Sequence, residues 1–557
     1  MSRWIVTSAW PYSYSMPHLG NFVGSLLSAD IFARYMRLKG ENVVFVTGSD
    51  EHGTAIEVEA LKREVTPLEL TSEIHQKIVN TLKRFDISTD NYTRTHNPVH
   101  INFVREFFSK IDQNGYIFKK NDEQFFCNND QLFLPDRLII GSCPKCKYES
   151  ARGDQCEECS ILLDPTQLIQ PKCSICNNSP EIRNTDQWYF DLPKFTEKLK
   201  VFVDESETLS DNAKNFTVNL LKSGLKPRSI TRDNKWGIQS PFSGSNEKTI
   251  YVWMEAVLGY VSAVIEHFQQ SELWREYWLK SDTNVAFFIG KDNIPFHTIV
   301  FPALLMANGD NYSLNFHIGA TEYLQFDGQK FSKSKKVGIW LDEALELLPS
   351  DYWRFSLIQI RPEIKDTNFT WENLDISINE DLNNSLGNLL QRTLNIVNRY
   401  YDGKIPKIQA LTSFQTSLME DTLKTKSNVE KMMKEFRIQR ALHDIMSLSR
   451  KCNALLNIEE PWKKVKNDVD EAGHTISTVM FTLKAIAIML LPFIPNSAKK
   501  ILEQMGVDPE QVNWNDIESF DLQSKSVSKK VTSVFSKIDI LEIKEALEIN
   551  RVKSNME

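Results

Sequence analysis

The sequence predicts an α/β protein: a parallel sheet split by a cysteine-rich insertion and followed by an all-α helical-bundle domain. Three observations predict it. The first 110 residues alternate β-rich runs with a helical pattern, seven of the eight cysteines fall between Cys127 and Cys176, and beyond about Asn383 the apolar spacing is helical almost throughout.

In the first part, residues 4–8 and 42–47 are β-rich. Between them Leu19, Val23, Leu26, Leu27, Ile31 and Tyr35 keep the spacing of one helix face, which predicts a β-α-β unit entered through the Trp10-Pro11-Tyr12 turn. Ligands of open parallel sheets sit beyond the carboxyl ends of the strands. His18 and the string Asp50-Glu51-His52-Gly53 both follow a strand there. Residues 116–245 break the pattern with cysteines, turn residues and a polar stretch at 243–248. It returns at residues 249–252 and 285–290, so a Rossmann-like fold is expected in two halves. In the last part Val429, Met432, Met433 and Phe436, then Leu442, Ile445 and Leu448, keep helical spacing. After Ser524 a charged, amphipathic tail carries Val534-Phe535, Ile538 and Ile540, a pattern equally suited to docking and to fraying.

A chain of 557 residues exceeds one core, and 41% hydrophobic with 25% charged residues is ordinary soluble composition. A net charge of −8 means that any nucleic-acid contact relies on local basic patches. The start, MSRWIVTSAWPY, lacks a signal-peptide core, so a cytoplasmic location is expected. Residues 476–494 are apolar enough to suggest a membrane span, but they include Lys484 and Pro492. A buried bundle helix, with no membrane partner, is the expectation.

Cys143-Pro-Lys-Cys146 and Cys156-Glu-Glu-Cys159 are two knuckles separated by nine residues. Each tight turn offers two thiolates, and two turns complete a tetrahedral zinc site with no position left for water, hence a structural one. Cys173-Ser-Ile-Cys176 is a third knuckle, and Cys127-Asn-Asn-Asp130 has the same spacing with Asp in the last place. Cys452 stands alone in a helical segment and is expected to be buried and inert.

Two short strings carry the chemistry. His18-Leu19-Gly20-Asn21 and Lys330-Phe331-Ser332-Lys333-Ser334 look like the HIGH and KMSKS motifs of class I aminoacyl-tRNA synthetases. In such a reaction a carboxylate attacks the α-phosphate of ATP, and catalysis is positioning plus stabilisation of the added charge. Gly20 would let ATP approach the helix start, His18 would donate to phosphate, and Lys330 and Lys333 would bring cations on a loop flanked by Gly328 and Gly338. Losing one such donor typically costs roughly 3–4 kcal/mol of barrier.

The match extends further. From Ile5 to about Ile540 the chain resembles the methionyl-tRNA synthetases. It does so through Ser8-Ala9-Trp10-Pro11-Tyr12, Gly48-Ser49-Asp50-Glu51-His52-Gly53-Thr54, the knuckles, Tyr251-Val252-Trp253-Met254-Glu255-Ala256, Phe288-Ile289-Gly290-Lys291-Asp292-Asn293-Ile294-Pro295-Phe296-His297 and the Lys330 loop. The resemblance implies a methionine pocket of Trp10, Tyr12, Trp253, Ala256, Tyr260, Asn293 and His297, with Asp50 holding the substrate ammonium. Aromatic rings suit a polarizable thioether, worth about 0.3–1.5 kcal/mol per contact. For ATP, with its Mg2+, it implies His18, Gly20, Asn21, Gly290, Asp292, Lys330 and Lys333, with Arg232 helping to close the loop. It also implies a second zinc ion shared by Cys127, Asp130, Cys173 and Cys176, which is weaker than an all-thiolate site.

On the helical part it implies that Asn388, Arg392 and Trp462 read the CAU anticodon of tRNA(Met), the initiator included; a stacked base contributes about 1–3 kcal/mol. The expected domains are Rossmann halves at 1–115 and 246–325, the insertion at 116–245, a Lys330-loop and stem-contact region at 326–385, the anticodon-binding bundle at 386–523 and a tail at 524–557. Members with a further C-terminal dimerising or tRNA-binding domain have no counterpart here, so a monomer, or a partner supplying that domain in trans, is expected. Val257 and Asn293 stand where some members have Pro and Ile, and Asn21 replaces the second His of HIGH, altering one phosphate contact. Phe331 replaces the Met of KMSKS, a change expected to have little chemical consequence.

Another class I synthetase, or a silent tRNA-binding descendant, are the alternatives. The aromatic pocket and short insertion disfavour leucine and valine enzymes, a cysteine enzyme would place zinc beside its substrate, and intact His18, Asp50, Lys330 and Lys333 disfavour the silent descendant.

Overall fold

β1 (Arg3–Ser8), β2 (Asn42–Ser49), β3 (Asn91–Arg94), β4 (Asn284–Gly290) and β5 (Phe316–Thr321) form one parallel sheet in the order β5-β4-β1-β2-β3. This computed structural model describes residues 2–554 apart from 136–137, 154–155, 157, 160, 162, 207, 333–334, 409–410 and 524. The strands are near-continuous apolar runs because both faces of the sheet are covered. Side chains alternate between two cores: Val6, Phe45, Ala286 and Phe288 enter one, while Ile5, Val44, Val285 and Phe287 enter the other. Ile5 lies opposite both Val44 and Val285, which fixes the register at the centre. Strand order reverses between β1 and β4, so a crevice opens beyond Ser8 and Gly290.

Two expectations are corrected here. The run from Leu19 to Leu38 is two helices, α1 (Leu19–Gly24) and α2 (Leu26–Leu38), broken at Ser25 with φ −125° and ψ −85°. Residues 249–252 do not rejoin the main sheet. Thr249–Ile250 pairs antiparallel with Thr231–Arg232, and Val252–Ala256 is helical. Short apolar runs do not distinguish strand from helix, and this one is turned toward the crevice.

The insertion is built on a stem. Ile117–Cys127 runs antiparallel to Glu181–Phe190, with Ile117 opposite Phe190 and Phe126 opposite Glu181. Beyond the stem, Ile139–Ser142 pairs with both Ala151–Arg152 and Ile169–Cys173, bringing the knuckles together.

Past the sheet come α3 (Leu341–Leu347), α4 (Asn388–Tyr400), α5 (Ser413–Lys434), α6 (Ile438–Glu459) and α7 (Val469–Leu490). Among the described residues α7 is the one helix long and apolar enough to cross a membrane, and 94% of its apolar window is buried in the bundle. Lys484, 1% exposed, donates to the Asp521 carboxylate at 2.6 Å and the Ser519 carbonyl at 2.7 Å. The predicted core positions Val429, Met433, Leu442, Ile445 and Leu448 are buried, as is Cys452. Bundle and sheet share one core, tied by buried Arg354: it donates to Asp30 of α2 at 2.6 Å and to the Pro492 and Phe493 carbonyls, each at 2.8 Å.

The chain after Ser524 docks. Phe535 is buried beside Tyr352, and Asn379 exchanges hydrogen bonds with the Ile538 backbone. The helix α8 (Ile540–Ser554) turns Ile543 and Leu547 inward.

Candidate active site

The crevice beyond β1 and β4 is a cavity of about 730 Å³. Trp10, Tyr12, Asp50, Trp253, Ala256, Tyr260, Asn293 and His297 line it, and so do His18, Gly20, Asn21, Gly290 and Asp292. Residues from Trp10 to His297 are thus brought to one site by the strand order. Three predicted residues are not in this lining. Arg232 stacks on Tyr251, its guanidinium carbon 3.9 Å from the ring centre, and lines a second cavity of about 460 Å³ behind Trp253 and Phe296. Lys330 is on an exposed hairpin with Nζ 3.7 Å from Glu158. Lys333 lies outside the described residues.

One end of the cavity is aromatic. Trp10 lies between two glycines: a Cβ added at Gly48 or Gly259 would come within 2.9 or 2.7 Å of its ring. Tyr260 meets Trp10 edge-on at 6.2 Å and donates its hydroxyl to His297 Nε2 at 2.8 Å. His297 Nδ1–H in turn donates to the Asn293 carbonyl at 2.8 Å. Burial lowers the His297 pKa to about 4, so the ring is neutral and its tautomer is set by these two bonds. Trp253 donates to the Tyr12 hydroxyl and meets Phe296 edge-on at 5.0 Å.

Asp50, 4% exposed, closes this end. Its Oδ1 has no hydrogen-bond partner among the described residues. Burial, reinforced by the nearby Glu255 carboxylate, raises its pKa well above the carboxylate range. Glu255 and His52 lie within the matching segments but carry no role that the sequence alone reveals. The structure places Glu255, fully buried, between two imidazoles: His52 Nδ1–H and His100 Nε2–H donate to its two oxygens, each at 2.7 Å. Burial opposes its charge, but the two histidines hold its pKa below the usual value. The signal was an acid inside the apolar run Val252-Trp253-Met254-Glu255-Ala256, which calls for buried partners.

At the other end His18 caps α1. Its Nδ1 accepts the Asn21 N–H at 3.2 Å, and Asn21 Oδ1 faces the His18 N–H at 3.4 Å. Asn21 therefore closes a capping box, a local use that the missing second His did not suggest. Burial lowers the His18 pKa to about 4. With Nδ1 accepting, the proton of the neutral ring sits on Nε2, available to a ligand. The Phe331 ring lies flat on this imidazole, centroids 4.2 Å apart and planes 7° apart. Phe331 is thus the floor on which His18 rests, a contact that the motif alone does not reveal.

The knuckles form two clusters. In Cys143, Cys146, Cys156 and Cys159, and in Cys127, Asp130, Cys173 and Cys176, all ligand atoms lie within 4.8 Å of one another. Sulfur separations of 3.8 Å (Cys143–Cys159), 3.5 Å (Cys146–Cys156) and 3.5 Å (Cys127–Cys176) suit a tetrahedron of Zn–S bonds of about 2.3 Å. Asp130 Oδ2 is 3.0 and 3.1 Å from Cys127 and Cys173 Sγ. Both donor sets fit zinc, the second with one oxygen. On the bundle, Arg392 lies over the Trp462 ring at 5.0 Å and donates to Asn457 at 3.1 Å, and Asn388 is exposed one turn earlier on α4.

Comparison with known proteins fits this architecture. The family described as tRNA synthetases class I (M) matches residues 4–394, and the anticodon binding domain of methionyl tRNA ligase matches residues 405–545. The methionine–tRNA ligase of Thermofilum pendens is 46% identical over 98% of this chain and 97% of its own; that of Korarchaeum cryptofilum is 48% identical over 91% of each. The Mycobacterium tuberculosis methionyl-tRNA synthetase in complex with methionyl-adenylate shares the fold, with a TM-score of 0.81 at 24% identity over 96% of this chain and all of that one. This chain belongs to the methionyl-tRNA synthetase family of class I tRNA synthetases.

Proposed function

We propose that the chain joins methionine to its tRNA in two ATP-driven steps, through a methionyl-adenylate, releasing pyrophosphate and then AMP. The carrying observation is one cavity with two unlike ends: an aromatic pocket closed by a buried carboxylate with one oxygen unpartnered among the described residues, and a neutral imidazole whose N–H is left to donate.

The methionine side chain occupies the pocket of Trp10, Tyr12, Trp253, Ala256, Tyr260, Asn293 and His297. Asp50 takes the ammonium, and that cation offsets the cost of ionising a buried acid. Tyr260, tied to His297, is locked in place, which makes the pocket preorganised for an unbranched side chain. ATP lies toward His18 and Gly20, where a Cβ would crowd His18 and Phe331 at 3.1–3.2 Å. Asn21, Gly290 and Asp292 bind the rest of the nucleotide, and Mg2+ accompanies its phosphates.

The methionine carboxylate oxygen attacks the α-phosphorus, the bond to the bridging oxygen breaks and pyrophosphate leaves. His18 Nε2–H donates to the phosphate, and Lys330 and Lys333 meet the added negative charge, with Arg232 assisting the closure of their loop. In the second step a terminal ribose hydroxyl of tRNA attacks the adenylate carbonyl and AMP departs.

Zinc would be held by the two knuckle clusters as a closed structural ion at each, stabilising an insertion that has only a small core of its own. Asn388, Arg392 and Trp462 read the anticodon of tRNA(Met). Cysteines gathered into thiol clusters suit the reducing cytoplasm. ATP–pyrophosphate exchange with each of the twenty amino acids tests the reading. Methionine alone is expected to support exchange; exchange with another amino acid, or none with folded protein, overturns it.

A further inference from the structure

We propose that Arg551, on α8, is a positioning residue for adenylate formation: it fixes the base of the hairpin that carries Lys330 and, through Phe331, the ring of His18. The inference rests on the function proposed above and adds to it a residue more than 200 positions from the motif it serves.

Arg551 is largely buried, its side chain 13% exposed. Its guanidinium makes a two-pronged pair with Glu343, Nε to Oε1 at 2.8 Å and Nη2 to Oε2 at 3.0 Å. Nη2 also donates to the Gly338 carbonyl at 2.6 Å, and the group lies over the Trp340 ring at 5.8 Å. Glu343 is itself fixed, since its Oε2 accepts the Trp340 N–H at 3.0 Å at the start of α3. A planar bidentate pair of this kind sets direction as well as distance, which a point charge does not.

What Arg551 holds is the root of the hairpin. The Ser332 and Val337 backbones bond each other at 2.9 and 3.0 Å, closing a turn directly after Lys330 and Phe331. From the root, residues 339–341 run antiparallel to 17–19: Leu19 N–H donates to the Ile339 carbonyl at 3.1 Å and Leu341 N–H to the Pro17 carbonyl at 3.0 Å. Gly338 is the joint between hairpin and ladder. Its φ of +126° is a conformation for glycine, and a Cβ there would lie 2.3 Å from Phe331 Cδ1. Gly338 is therefore packed on Phe331, and Phe331 is stacked on His18. A shift of the Gly338 carbonyl by 1 Å cannot leave Phe331, and hence His18, where it was. The two motifs that must meet on ATP are thus referred to one fixed point, and Arg551 supplies the outer half of that point without entering the cavity.

The test compares wild type, Arg551→Ala and Arg551→Lys in methionine-dependent ATP–pyrophosphate exchange, with methionine affinity from intrinsic tryptophan fluorescence and Tm measured alongside. Arg551→Ala is expected to lower kcat by about tenfold and raise KM for ATP, with methionine affinity within about twofold, because the hairpin and His18 are displaced while the aromatic pocket is untouched. Arg551→Lys recovers part of the loss through its single bond to Gly338. Exchange kinetics within about twofold of wild type for Arg551→Ala overturn the proposal, as does a parallel fall in methionine affinity and Tm, which would mark general loosening. Should Arg551→Ala fail to fold, Glu343→Gln keeps the guanidinium and breaks the paired geometry. It is expected to lower kcat by about threefold or more, and an unchanged kcat overturns the proposal. Wild-type protein without exchange would count against the proposed function; wild type with exchange and an indifferent Arg551 would count against this inference alone.

Discussion

Gly259→Ala separates methionine recognition from nucleotide chemistry. The new Cβ would lie 2.7 Å from Trp10 Cη2 and 2.9 Å from Cζ2 and Cζ3. Carbon–carbon contacts are comfortable at about 3.5–4.0 Å, so the indole has to move by about 1 Å. It cannot retreat toward Gly48, where the same ring already sits within 2.9 Å of a Cβ position, so the displacement is into the cavity. Overpacking of this kind costs about 1–3 kcal/mol. Gly259 opens the helix Gly259–His267 at an ordinary negative φ, so alanine returns up to about 1 kcal/mol of helix preference. The fold therefore loses about 0–2 kcal/mol, and the displaced indole also misfits the bound amino acid, where about 1.4 kcal/mol is tenfold in affinity. Methionine titrated by tryptophan fluorescence should bind about tenfold or more weakly, exchange should show the same rise in KM for methionine, and KM for ATP should hold. An unchanged methionine KM at unchanged Tm would refute the assignment of Trp10 to the pocket wall.

Three further outcomes are expected. Phe331→Ala removes the cover from His18, so the imidazole pKa rises from about 4 toward its ordinary value of about 6.5; because protonation of Nδ1 ejects the Asn21 N–H, the acid limb of the exchange rate should move to higher pH, and a limb that stays put refutes the stack's role. Metal analysis should find that Asp130→Ala loses one zinc ion per chain while Asp130→Cys retains it; equal zinc in wild type and Asp130→Ala removes Asp130 from the ligand set. Trp462→Ala should raise KM for tRNA(Met) by about tenfold to a hundredfold, the equivalent of one lost base stack, and leave tRNA-independent exchange intact; a loss in both assays would place Trp462 in the fold rather than on the anticodon.

What could be read from the chain follows its locality. Apolar runs gave the central strands at residues 4–8, 42–47 and 285–290 because both faces of a parallel sheet are covered and no alternation is required. The pocket residues were legible because they lie in a few contiguous strings at strand ends. Contacts made across the chain were not. The two histidines on Glu255 come from positions 52 and 100, and the ring on His18 comes from position 331; no local period or propensity records such meetings. The bend at Ser25 and the helical turn at Val252–Ala256 escaped for another reason: the same apolar residues satisfy either backbone, and only the neighbouring crevice decides.

The antiparallel stem that carries the knuckles has a topological consequence. Because Ile117 is paired with Phe190, the chain leaves the catalytic layer and returns to it one strand width apart, about 5 Å, after more than 70 residues. To the sheet, the whole excursion is equivalent to a hairpin loop. Its contents can change in length without altering the spacing at which the stem meets that layer. The stem makes the knuckle-bearing part a module with a standard plug, joined to the catalytic layer at one fixed spacing.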